Sequence, residues 1–162
     1  MQFLGIDPGL DYCGVAIIAD DADEQQRFGH TTVLHPTGED WITRLADLSH
    51  QLDRHLRPHE GFIQLAVVER PIMGKHSNPD TFGKQNITVG MIFQVLTAYT
   101  PVIRFLLPKQ VRKLAVGDGG ATADQVRDYL TKIGYTFTTS RVDESDALAM
   151  AIAARQVWMR EA

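Results

Sequence analysis

Apolar and polar positions divide this chain into short blocks. Residues 2–7 and 12–19 are two apolar runs joined by a tight turn containing Pro8 and Gly9, and both read as strands. A third run, 27–34, with Phe28, Thr31, Thr32 and Val33, completes a predicted three-stranded meander, and the polar stretch "DDADEQQ" before it reads as a solvated turn. From Glu39 to Leu56, Trp41, Ile42, Leu45, Leu48, Leu52 and Leu56 recur at helical spacing, and Pro58 follows to end the helix. The run "FIQLAVVE" shows little alternation, as expected of a strand buried on both faces, and it ends in the carboxylate of Glu69.

The segment "RPIMGKHSNPDTFGKQN" mixes Pro, Gly and charge and reads as a long loop of the kind that carries function. Ile87 to Tyr99 then reads as a helix that is apolar nearly all round, with Met91, Ile92, Phe93, Val95 and Leu96 spread over more than one face. Such a helix must be covered twice, once by the sheet and again by the domain or a second subunit. "PVIRFLL" is a further strand, Pro108 begins a helix to about Leu114, "GDGGAT" is a turn, and Ala123–Ile133 and Asp143–Glu161 are the last helices. Three strands, a helix and then β-α-β-α predict an α/β fold in which an antiparallel set is extended by parallel strands. No internal repeat is present, so residues 1–162 are expected to form a single domain.

At 162 residues and 44% hydrophobic content the chain is long enough for one core. Its single cysteine, Cys13, lies in an apolar run and suits a buried thiol in a reducing, cytoplasmic setting. No secretory leader pattern and no membrane-spanning run is visible, so no membrane partner is expected. The net charge of −4 argues against nucleic acid on its face, but the acidity is uneven. Residues 1–60 hold 4 Lys/Arg against 11 Asp/Glu, and residues 61–162 hold 12 against 9.

Three of those nine acids, Glu69, Asp143 and Asp146, together with Asp7, are the candidate chemistry. In "DESDALAMA", Asp143 and Asp146 are spaced i, i+3 at a helix start and share one face of its first turn. Each acid alone has an ordinary explanation: Asp143 and Asp146 can cap and complement a helix N-terminus, Asp7 can cap its turn, and Glu69 can pair with Arg70. Taken together, two acids end predicted neighbouring strands and two begin the last helix, where one fold brings all four to one edge. Four clustered carboxylates raise one another's pKa unless a cation neutralises them, and oxygen-only ligands select Mg²⁺ or Mn²⁺. Two such ions about 3.5–4 Å apart support in-line phosphodiester hydrolysis.

"FLGIDPGLDYCGVAII", "VVERPIMGK", "PKQVRKLAVGDGGATADQV" and "DESDALAMAIA" resemble, in this order and spacing, the RuvC-type Holliday-junction resolvases of the ribonuclease H-like superfamily. The resemblance covers most of the chain. It implies a five-stranded mixed sheet flanked by helices, with Asp7, Glu69, Asp143 and Asp146 as the catalytic acids holding two Mg²⁺ ions, Mn²⁺ substituting. It also implies a homodimer that cuts symmetry-related strands of a four-way DNA junction in recombination and repair, and branch-migration proteins as partners. DNA contacts are expected from Arg70, Ile72, Lys75, His76 and Lys84 after the second acid, and from Lys109, Arg112 and Lys113. Met91, Ile92, Val95 and Leu96 are the expected dimer contacts. The chain departs from the family pattern at Ile72, where a phenylalanine is common, and at Ala123, where a second DNA-contacting lysine is expected; the loop after Glu69 is about two residues longer. These changes suit a divergent bacterial or phage-encoded member.

Three other readings share features of the sequence: a related nuclease acting on RNA or on a broader range of branched DNA, a non-catalytic junction-binding protein whose acids only cap and pair, and an actin-like kinase, which needs two such domains. His30, His35, His50, His55, His59 and His76 show no zinc-protease spacing. Glu144 is expected to face away from the acids and to tolerate substitution, and Phe82 to be a packing residue.

Overall fold

A computed structural model describes residues 1–20, 29–73 and 78–161. Strands β1 (Gln2–Asp7), β2 (Cys13–Ala19) and β3 (Gly29–Leu34) are followed by helix α1 (Trp41–Leu56) and strand β4 (Ile63–Glu69). Helix α2 (Pro79–Leu96), strand β5 (Ile103–Leu106) and helices α3 (Pro108–Val116), α4 (Ala123–Lys132) and α5 (Val142–Glu161) complete the order. The strands form one sheet in the order β3-β2-β1-β4-β5, antiparallel across β3-β2-β1 and parallel across β1-β4-β5, which is the predicted mixed arrangement.

Side-chain alternation along the strands builds two cores. Phe3, Ala16, Ile18, Leu65 and Val67 face α3, α4 and α5, whereas Leu4, Ile6, Val15, Ile17, Ala66 and Val68 face α1 and α2. Cys13 is buried in the second core, and burial pushes its thiol up to about 12, so it is an inert packing group. Central β1 and β4 are buried on both faces, which is why they read as unbroken apolar runs.

Helix α5 packs on β1 and β2 and meets their backbones directly at two glycines. A Cβ at Gly5 would stand 2.1 Å from the Ala147 carbonyl oxygen, and one at Gly14 would stand 2.1 Å from that of Asp143. Gly14 is also the cross-strand partner of Asp7. The two glycines, with Ala147 and Ala151 opposite, let the helix backbone approach, and Gly14 brings the first turn of α5 against the end of β1.

Two boundaries differ from the sequence pattern. Helix α2 begins at Pro79, not Ile87: the Asn78 side chain accepts from the Asp80 N–H at 2.9 Å, Pro79 occupies the first turn, and Lys84 pairs with Asp80 at 2.6 Å. Helix-start chemistry thus prevails over the loop-like composition of that stretch. The same helix ends at Leu96, after which the Tyr99 hydroxyl donates to Asp53 Oδ1 at 2.6 Å. Asp20, expected in a solvated turn, accepts from Arg155 at 2.8 Å; the rest of that turn, and Phe28, lie outside the described residues. No helix among the described residues is long and apolar enough to cross a membrane.

Candidate active site

Asp7 and Glu69 end β1 and β4, which are parallel neighbours with Ile6 opposite Val68. Because residues two apart share a face, Asp7 lies on the Phe3–Gly5 side and Glu69 on the Leu65–Val67 side, both toward α5. Asp143 and Asp146 sit in the first two turns of α5. The four acids therefore come from the ends of three elements held by the close helix–sheet contact at Gly14.

Their electrostatics follow from crowding. Burial, and then the charges of Glu69, Asp146 and Asp143, hold the Asp7 carboxyl well above the usual carboxylate range. Burial and then Asp146 push Glu69 up to about 7, with Arg112 opposing. Asp146 is raised by burial, drawn down by Arg112 and raised again by Asp143.

No three acidic, histidine or cysteine side chains among the described residues are gathered closely enough, as they stand, to chelate one ion. Asp143 Oδ2 accepts from Arg141 Nε at 2.9 Å. The donor set nevertheless fits a hard divalent cation: all four groups are carboxylates, and their mutual repulsion is what such an ion would relieve.

The expected DNA contacts separate into groups. Arg70 and Ile72 follow Glu69 and are exposed, Ile72 at 55%. Lys84 lines a cleft of about 510 Å³ beside Asp143, whose walls include Tyr12, Trp41, Arg44 and Arg141. Lys75 and His76 lie outside the described residues. Arg112 is not an outward-reaching group: its guanidinium donates to the Ala121 carbonyl at 2.8 Å, and its charge acts on Glu69 and Asp146. Lys109 and Lys113 share a pocket with Arg160, near the other end of α5 and about 20 Å along its axis from Asp146.

Two expectations fail for packing reasons. Ile92 and Leu96, expected at a subunit interface, are fully buried against this chain's own sheet. Met91 and Val95 are half-buried at the margin of the same core, and the exposed surface of α2 carries Ile87, Gly90, Phe93 and Gln94. Glu144, expected to tolerate substitution, is fully buried and accepts five hydrogen bonds from Thr31, Thr138 and Thr139 at 2.6–3.1 Å. Sequence reasoning also missed Arg141, Tyr12 and the close-approach role of Gly14; the clue to the last was a glycine inside a strand run.

The family model described as "Crossover junction endodeoxyribonuclease RuvC" matches residues 3–154. The relative so named from Hyphomonas neptunium is 27% identical over 157 residues, covering 95% of this chain and 90% of its own. That from Bdellovibrio bacteriovorus is 25% identical over 151 residues, covering 93% and 88%. Among solved structures, Thermus thermophilus RuvC in complex with Holliday junction substrate superimposes with a TM-score of 0.82 at 21% identity, over 99% of this chain and 96% of that one.

Proposed function

Since the chain belongs to the RuvC family of crossover junction endodeoxyribonucleases, we propose that it resolves four-way DNA junctions by paired, metal-dependent phosphodiester hydrolysis, in recombination and repair. The observation that carries this reading is the convergence of Asp7 and Glu69, from adjacent parallel strands, with Asp143 and Asp146 from the start of α5. With two Mg²⁺ ions bound, or Mn²⁺ in their place, such a site activates water and stabilises the leaving oxygen. The chain's own part is to hold the ligands on rigid strand ends and on the first turns of a helix pressed to the sheet, as a single ribonuclease H-like domain.

Arg70, exposed Ile72 and Lys84 are the proposed contacts beside the acids, and Lys109 and Lys113 with Arg160 are proposed to meet DNA farther along an arm. Arg112 offsets the crowded negative charge of Glu69 and Asp146. Branch-migration partners and a cytoplasmic setting belong to the same reading. Synthetic four-way, forked and linear DNA incubated with and without Mg²⁺ tests it. Paired nicks on the four-way substrate only with Mg²⁺ are expected. Preferential cutting of an RNA hybrid would favour the related-nuclease reading, and binding without any cutting a non-catalytic one.

Paired cutting requires two sites in fixed relation, so a homodimer is part of the proposal. Its surface is the exposed side of α2, where Phe93, 42% exposed, lies 6.0 Å from Phe105 of edge strand β5 and a Cβ at Gly90 would meet only open space. Phe93→Asp places a charge there while sparing the chain's own core, so sedimentation should show monomer and four-way cleavage should lose its pairing. A wild-type chain that is monomeric at micromolar concentration yet cuts in symmetric pairs would refute the dimer.

A further inference from the structure

Arg141 lies in the cleft beside Asp143, outside every DNA contact the sequence suggested. Its guanidinium is 3.3 Å from the centre of the Tyr12 ring, and the other face of that ring stacks on His35 at 4.7 Å and 6°. The segment that carries it is tied down on both sides. Arg127 donates to the carbonyls of Thr139 and Arg141 while stacking on Phe137, and buried Glu144 accepts from the N–H and hydroxyl groups of Thr138 and Thr139. The Arg141 N–H donates to the Thr139 hydroxyl at 3.2 Å.

A long flexible cation is thus pinned in one place although its side chain is 41% exposed. Only its Nε is engaged, by Asp143; its two terminal nitrogens make no hydrogen bond among the described residues. That distinguishes it from the other cations of the cleft, since Arg44 is paired with Asp11 and Lys84 with Asp80 through their terminal nitrogens. An arginine with a stacked plane and a free pair of donors is organised for a phosphate, and little rotamer entropy remains to be lost on binding.

We propose that Arg141, held by Tyr12 and His35, grips the DNA phosphate next to the scissile one on the cleaved strand. Through its Nε bond to Asp143 it also sets the register between that strand and the acids. The inference rests on the proposed junction-cutting function. It adds a site residue that joins substrate to metal ligand.

The test uses the full chain without divalent metal and four-way junctions carrying single methylphosphonates around the cut position. For wild type, neutralising the neighbouring phosphate should weaken binding several-fold. In Arg141→Gln the same replacement should have no effect, and the salt dependence of binding should be shallower by about one unit. Arg141→Lys keeps the charge and so the salt slope, but loses the fork and recovers only part of the affinity. Tyr12→Ala should likewise keep the slope while weakening binding. A methylphosphonate profile identical in wild type and Arg141→Gln overturns the proposal, as does a slope unchanged by the substitution; either result would leave Arg141 as a counter-charge for Asp143. Failure of wild type to prefer a four-way junction over linear DNA would strike the proposed function instead.

Discussion

Asp7→Asn is expected to reduce cleavage of a four-way junction by about three orders of magnitude while leaving junction binding within about twofold of wild type. Asp7 ends the central strand and interacts with Glu69, Asp146 and Asp143, so it is the acid through which the whole cluster is coupled. Asparagine keeps its shape and loses the anionic donor that a divalent ion requires. The same substitution should not destabilise the metal-free protein. Burial and three like charges raise the folded-state pKa of Asp7 above its ordinary value, so its contribution to stability falls as pH rises through the carboxylate range, and at neutral pH the charge opposes folding. Thermal melting in chelator should therefore show a midpoint no lower than wild type. Loss of cleavage with an unchanged or raised midpoint identifies a site residue; cleavage near the wild-type rate removes Asp7 from the mechanism.

Why Asp7 and its three companions were legible in the sequence, while other parts of the site were not, is a matter of range. Strand ends and helix starts are local features, and a carboxylate closing an apolar run stands out because apolar neighbours make its desolvation costly. The mixed arrangement followed from the same local signals, since short connections force the antiparallel β1-β2-β3 meander and a helical crossover makes β4 parallel to β1. The start of α2 was hidden because Pro79 and Gly83 look like loop residues until Asn78 is seen to cap them. Which residues of α2 face outward was hidden more deeply. A helix apolar on several sides has no single moment, and only its contact with the sheet shows that Ile92 and Leu96 are spent on the chain's own core. Arg141 was illegible for a third reason: its partners Tyr12, His35 and Arg127 come from distant parts of the chain, and a lone arginine before an acidic helix start reads as a solvated charge.

Glu144 shows the same limit with the largest consequence for stability. On a helical wheel it stands off the Asp143–Asp146 face, and from the sequence its substitution is expected to be mild. Instead it turns under the 138–139 segment and reaches Thr31 of β3, joining the sheet edge, the loop that carries Arg141 and the start of α5. Glu144→Gln should lower the melting midpoint by about 10 °C, corresponding to about 3 kcal/mol. Oε1 accepts from the Thr31 hydroxyl and from the N–H and hydroxyl of Thr138, and Oε2 accepts from the N–H and hydroxyl of Thr139. The hydroxyls can turn to accept from an amide, but the two backbone N–H groups cannot. Whichever way glutamine is oriented, its NH₂ confronts either Thr138 N–H or Thr139 N–H, and one buried donor is left without an acceptor. The pH dependence gives an independent check. Burial alone would raise this carboxyl, yet the donors of Thr138, Thr31 and Thr139 outweigh it and bring it down from 4.5 to about 2. A folded-state value below the unfolded one means that the stabilisation is fully present above about pH 4.5 and is lost as pH falls from there toward 2. Glutamine does not titrate, so the gap between the two melting midpoints should be widest above that range and narrow steadily in acid. A Glu144→Gln protein that melts within about one degree of wild type at neutral pH would show that Glu144 braces nothing.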